Sequence, residues 1–251
     1  MSWLETELRE QPAALERLLE LQHDQAREIA GIFGRDDVQY VLIASRGSSG
    51  NAARYAQYVL GRAHRVPVMF ATPSLYTIYE QPPRLDGAVV VGISQSGASP
   101  DVASVLAEAR RQGRPTVALT NALDSRLARE ADAVLLLEAG EERAVAATKT
   151  YLNSLGAIAL LFAASDGPVA EGELGRMPEL VREQIALSLE TAPPLHEYAD
   201  IVGATVVARV PEWLSPLTAV IPGQLTALRL AQLRGLDIDS PAGLKKITLT
   251  R

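Results

Sequence analysis

Five short apolar runs, at residues 39–44, 67–71, 88–93, 116–120 and 133–137, alternate with helical patterns along the first half of the chain. The helical patterns fall at 51–63, 100–112 and 124–131, and a small Tyr-bearing segment, Ser74 to Tyr79, follows the second run. Short Val/Ile/Leu-rich runs without polar alternation read as strands buried on both faces. Strands separated by helices pair in parallel, because each crossover carries the chain back to the starting edge. The pattern therefore predicts a parallel α/β sheet with both faces covered. Pro67 and Pro115 stand at strand starts, where a missing N–H is tolerated.

Two of the strand ends carry unusual turns. Residues 90–100 read Val-Val-Gly-Ile-Ser-Gln-Ser-Gly-Ala-Ser-Pro, after which Asp101, Val102, Val105, Leu106 and Ala109 recur at helical spacing. Residues 41–51 repeat the design: Val-Leu-Ile-Ala, then Ser45-Arg46-Gly47-Ser48-Ser49-Gly50-Asn51 and a helical stretch. A Ser/Gly turn at a helix N-terminus offers N–H groups, hydroxyls and the positive end of the helix dipole, a natural seat for phosphate. One such turn is explained as well by Ser94, Ser96 or Ser99 capping the helix. Two of them, on the first and third strands, can flank a topological switch point where ligands bind. The pair favours phosphate binding over capping.

Composition narrows the remaining classes. The 251 residues suit one large domain or two small ones, and 47% hydrophobic residues suffice for a core. No apolar stretch is long enough to span a membrane, since Lys149 and Asp166 bracket the longest. The start, Met-Ser-Trp-Leu-Glu-Thr-Glu, lacks signal-peptide character. With no cysteine, disulfides, thiolate metal sites and a Cys nucleophile are excluded, and a cytoplasmic location is expected. A net charge of −6 argues against a general nucleic-acid binder.

Other candidate chemistries fail on inventory. Gly92 to Ser99 resembles a P-loop without its Lys, which argues against an ATPase. Gly92-Ile-Ser94-Gln-Ser96 lacks the second Gly of a nucleophile elbow. The three His, at 23, 64 and 196, have no metal-ligand spacing, so neither a metal nor a cofactor is expected. Glu141 and Glu142 read as a solvated loop, although they follow the fifth strand on the same rim as the serine turns. Lys149 opens a helix, where a cation is mildly unfavourable.

The rest of the chain reads mostly helical. An amphipathic helix is predicted over 11–33, a long helix to about Ala164, and another over 170–192 that ends at Pro193-Pro194. An apolar run follows at 202–210, then a helical stretch over 214–234 containing Pro216 and Pro222, then a tail with Lys245 and Lys246.

Taken together, several pieces resemble the sugar isomerase (SIS) domain family. They are Glu7-Leu-Arg-Glu-Gln-Pro12, Arg46-Gly-Ser-Ser49, Ser94-Gln-Ser-Gly97, Val145-Ala-Ala-Thr-Lys149, Pro211-Glu-Trp-Leu-Ser-Pro216 and Asp237 to Lys246. The chain is most similar to the isomerase half of glutamine–fructose-6-phosphate aminotransferase and its stand-alone relatives, which isomerise or deaminate amino-sugar phosphates. The resemblance implies a flavodoxin-like five-stranded parallel sheet and a bound phosphosugar. It implies a phosphate cradle of Ser49, Ser94, Gln95, Ser96 and Ser99 on the Gly47 and Gly97 turns. Val145 and Ala147 match the loop that contacts the sugar, and Lys246 matches the tail lysine that reaches the sugar's reactive end. Glu142 ranks second to Lys246 as a catalytic candidate.

The resemblance also divides the chain: 1–34 an N-terminal helical segment, 35–168 the SIS phosphosugar-binding domain, 169–200 a helical connector, and 201–251 a partial second SIS domain. The middle of that second domain, with the family's carboxylate base and ring-opening imidazole, has no counterpart. A natural truncation, an engineered deletion or a missing stretch near 200–210 would each give this pattern. Phosphosugar binding is therefore expected, with an isomerase or deaminase on one side and a non-catalytic sensing module on the other. A homodimer is expected as well, because the apolar residues of 214–234 have no second sheet to cover.

Overall fold

The computed structural model describes residues 2–190 and 209–241. Its five strands are β1 (Tyr40–Ser45), β2 (Val68–Phe70), β3 (Ala88–Ile93), β4 (Thr116–Thr120) and β5 (Ala133–Leu136). They form one parallel sheet in the order β2-β1-β3-β4-β5. The order reverses between β1 and β3, which makes their carboxyl ends the switch point. Pro67 and Pro115 each accept a ladder bond through their carbonyl, from the Val41 and Val90 N–H groups, where no donor is asked of them.

Why the strands are continuously apolar is visible in the core. Along β1, Val41 and Ile43 join one hydrophobic cluster while Leu42 and Ala44 join another on the opposite face. The same split separates Val89 and Val91 from Ala88 and Val90 on β3. One face is covered by α1 (Trp3–Leu21), α2 (His23–Phe33), α3 (Gly47–His64) and α7 (Lys149–Asp166); α7 is apolar almost all round and buried along most of its length. The other face is covered by α5 (Pro100–Arg111) and α6 (Arg126–Arg129), with the single turn α4 (Ser74–Thr77) beside α5.

The N-terminal helix departs from its sequence expectation in two ways. It begins at Trp3 rather than near residue 11, and Pro12 sits inside it, buried. It also stops at Leu21, and α2 begins at His23. The break falls at Gln22, whose side chain leaves the helical path to bond the sheet. Its Oε1 accepts from the Leu136 N–H at 3.2 Å and its Nε2 donates to Glu138 Oε1 at 2.7 Å.

The stretch after α7 likewise divides, into α8 (Pro168–Gly175) and α9 (Met177–Glu190). The apolar run at 202–210 lies almost wholly outside the described residues. Glu212–Leu214 forms a 3-10 turn that leads into α10 (Ser215–Leu233). Trp213 anchors this segment. Its ring packs on Phe162 of α7 at 4.7 Å, its Nε1 donates to Glu173 at 2.9 Å, and its carbonyl accepts from the Tyr55 hydroxyl at 2.7 Å. Burial pushes the Tyr55 phenol well above its usual value, so it stays a donor. Helix α10 buries Leu217, Ile221, Leu225 and Leu228 against α9, α7 and α1. The apolar residues that led to the expectation of a homodimer are thus largely covered within the chain and give no ground for one. Residue Asp239 then closes back on α1, accepting from the Trp3 N–H at 3.0 Å and the Leu4 N–H at 3.4 Å as an N-terminal cap.

Candidate functional site

Both serine turns leave the sheet at the switch point, where β1 and β3 pair along their full length from Tyr40–Ala88 to Ser45–Ile93. The first turn opens directly into α3, and Gly47 adopts φ +53°, a left-handed conformation that glycine takes without strain. In the second, Gly97 has φ +59°. Its carbonyl accepts from the Leu127 N–H of α6 at 3.1 Å, which docks the turn against that helix.

The hydroxyls in these turns are not spent on capping. Ser99 is the N-cap residue of α5, yet its side chain makes no capping bond. Arg46 stands at the N-cap of α3 and makes none either. Ser96 Oγ accepts a 3.3 Å bond from the Ala98 N–H, which keeps its own proton available. Neither turn therefore shows the side-chain cap of an ordinary helix start.

A cleft of ≈ 820 Å³ opens above these turns. The two turns give it Arg46 through Ser49, Ser94, Gln95, Ser96 and Ser99, and Val145, Ala146 and Ala147 form a second wall. Every binding residue expected from the sequence lines this one cleft: Gly47, Ser49, Ser94, Gln95, Ser96, Ser99, Val145 and Ala147. Sequence reasoning missed the contributions of Thr150, Tyr151 and Ser154 on α7 and of Leu236, Asp237, Ile238 and Pro241 near the end of the described chain. Their helical spacing on α7 (150, 151, 154) was a usable signal; after α10 the family resemblance brought the tail to the site through Lys246 but did not single out these four residues as lining. Charge at the rim is paired: Arg46 Nε lies 3.0 Å from Asp101 Oδ2, bridging the first turn to α5.

Glu142 is neither solvated nor in the cleft lining. It is 8% exposed, and its carboxylate accepts four bonds, from the N–H and hydroxyl of both Thr148 and Thr150 at 2.6–3.2 Å. A carboxylate at the start of α7 also suits the helix dipole. The awkward placement of Lys149 is answered nearby, for its Nζ donates to Glu10 at 2.5 Å and to the Glu141 carbonyl at 2.8 Å. Lys246 lies outside the described residues. Among the described residues no group of His, Cys, Asp or Glu is arranged to hold a metal ion. No described helix is long and apolar enough to cross a membrane.

Comparison with known proteins agrees with this geometry. The model of the SIS domain family matches residues 37–164, which include β1 to β5, both serine turns and most of α7. This chain belongs to the SIS domain family. Glutamine–fructose-6-phosphate aminotransferase (isomerizing) of Halobacterium salinarum is 33% identical over 174 residues, covering 65% of this chain and 29% of that protein. The chain thus spans about a third of the length of the curated relatives it matches. A crystal structure from Silicibacter pomeroyi, assigned as a phosphosugar isomerase, superposes with a TM-score of 0.80 at 24% identity, covering 94% of this chain and 99% of that one. Glucosamine-6-phosphate deaminase from Thermotoga maritima superposes with a TM-score of 0.69 at 18% identity, covering 99% and 100%. At these identities the structural likenesses speak to the fold alone.

Proposed function

We propose that this SIS protein binds a phosphorylated sugar in the cleft, an amino-sugar or ketose 6-phosphate. The observation that carries the reading is the convergence of two serine turns, with their hydroxyls free of capping duty, on one cleft at the switch point. In this reading Ser49, Ser94, Gln95, Ser96 and Ser99 cradle the phosphate. The N-termini of α3 and α5 add first-turn N–H groups that no intrahelical carbonyl takes. Val145 and Ala147 face the sugar, and Lys246 reaches its reactive end. Glu142 is assigned to holding the loop rather than to proton transfer, since its oxygens already serve four donors. The absence of cysteine and of a membrane-crossing helix among the described residues is compatible with a cytoplasmic location.

Chemistry is a separate question from binding. Ring opening and a C1–C2 proton shift need a base over the carbon and a proton donor at the oxygen. Among the described lining residues the one carboxylate is Asp237, whose Oδ1 accepts from the N–H groups of Asp239 and Ser240 at 3.2 and 3.1 Å. No His lines the cleft among the described residues. We therefore favour binding with little or no isomerase or deaminase turnover. The test is a coupled assay with glucosamine 6-phosphate, and with fructose 6-phosphate plus ammonia, run beside Lys246→Ala. A missing acid or base typically costs about 10²–10⁴-fold each, so rates near background are expected. Turnover at ordinary enzyme rates, abolished by Lys246→Ala, would replace the binding module with an enzyme.

A further inference from the structure

The second wall of the cleft is pinned by buried carboxylates. No backbone–backbone hydrogen bond joins residues 141–147 to another described element. Side chains hold the segment instead. On its far side Glu142 collects Thr148 and Thr150, and Lys149 is drawn to Glu10 of α1. On its near side stands Glu7, also from α1 and only 3% exposed. Its carboxylate accepts the successive N–H groups of Arg143 and Ala144, the latter at 3.2 Å. Between the two anchors lie Val145, Ala146 and Ala147, the residues that face the cleft.

Glu7 is a costly residue to keep here. Burial raises its carboxyl above the usual range, the two N–H bonds oppose that rise, and the nearby Glu142 adds to it. A group raised in the folded state contributes stability below its unfolded value and loses it as pH rises through the folded one, so ionised Glu7 works against stability at neutral pH. What the carboxylate supplies is acceptor oxygens for two consecutive N–H groups of the loop, those of Arg143 and Ala144.

We propose that Glu7 is a positioning residue for the sugar-contacting loop, fixing Val145–Ala147 in the binding geometry across the interface between α1 and the β5–α7 connection. This rests on the phosphosugar reading above and adds a residue that never touches the ligand. A loop ordered before the ligand arrives spares the ligand the entropy of ordering it. Helix α1 is suited to the task, since Gln11 also bonds Gln224 of α10 at 2.7 Å and Asp239 caps its start.

Binding of fructose 6-phosphate and of inorganic phosphate to wild type, Glu7→Ala and Glu7→Gln tests this, together with trypsin cleavage after Arg143. Glu7→Ala is expected to weaken fructose 6-phosphate about tenfold or more while phosphate, held by the serine turns, binds as before. It is also expected to speed cleavage at Arg143. Glu7→Gln keeps one acceptor oxygen and should recover most of both effects. Equal weakening of the two ligands, or unchanged binding and cleavage in Glu7→Ala, overturns the assignment. If wild type binds neither ligand, the phosphosugar reading fails and the binding role falls with it. Accelerated cleavage in Glu7→Ala would in that case still establish the loop-holding contact.

Discussion

The double variant Ser49→Ala/Ser96→Ala is expected to weaken fructose 6-phosphate by about 100-fold or more while the fold stays intact. Each hydroxyl stands on a different turn of the same cleft. A hydrogen bond to a charged group contributes about 1.5–3 kcal/mol. Two of them lost from one ligand amount to about two or more factors of ten where the two losses add. The cost to folding is small, because both side chains are only partly buried and the Ser96 hydroxyl gives up a single 3.3 Å bond. Calorimetric titration beside thermal melting reads both quantities. A dissociation constant within threefold of wild type would remove the two turns from the site.

The largest stability effect belongs to Gly97. A Cβ built there would lie 2.1 Å from Ser125 Oγ and 2.4 Å from Ser125 Cβ, and φ is +59°. The obstacle is partly the Cβ atom of its neighbour, which cannot swing away as a long side chain would. Gly97→Ala therefore pays about 1–2 kcal/mol for its backbone conformation and about 1–3 kcal/mol for overpacking. Gly113 supplies the control: φ is +68° and nothing lies within 4 Å, so Gly113→Ala pays the conformational part alone. Urea unfolding should show Gly97→Ala losing about twice as much stability as Gly113→Ala or more. Equal losses would mean that the second turn is not docked on α6 as described. Because Gly97 carries the Ser94–Ser99 turn, its variant should lose phosphosugar affinity as well, whereas Gly113→Ala should not.

The sheet and the serine turns were legible because their cause is local. A parallel strand buried on both faces must be apolar throughout, and a strand that ends in Ser and Gly announces its turn. What escaped is set by distant partners. Gln22 is an acceptable helix residue, and only its bonds to Leu136 and Glu138 explain why α1 stops there. The sequence reading starts this helix at residue 11, with Pro12 in its first turn, whereas α1 begins at Trp3 and Pro12 lies buried inside it. Glu142 reads as a loop acid in water; it is buried because Thr148 and Thr150 fold back onto it. Lys149 showed its oddity in the sequence, a cation at a helix start, but not its partner Glu10, 139 residues away. Glu7 stood in a motif similar to the family's without any sign of its task. Sequence reveals which side chains a cleft has, more readily than what holds them still.

Isothermal titration of the full chain with fructose 6-phosphate, fructose and inorganic phosphate addresses the central claim most directly. The expected result is saturable one-to-one binding of fructose 6-phosphate, weaker binding of inorganic phosphate, and no heat from fructose, since the charged hydrogen bonds of the two turns are made to the phosphate. Glucosamine 6-phosphate in the same cell guards against the wrong choice of sugar. Binding of the unphosphorylated sugar as tightly as its phosphate, or no binding of either sugar phosphate, would contradict a phosphate cradle at the ends of β1 and β3.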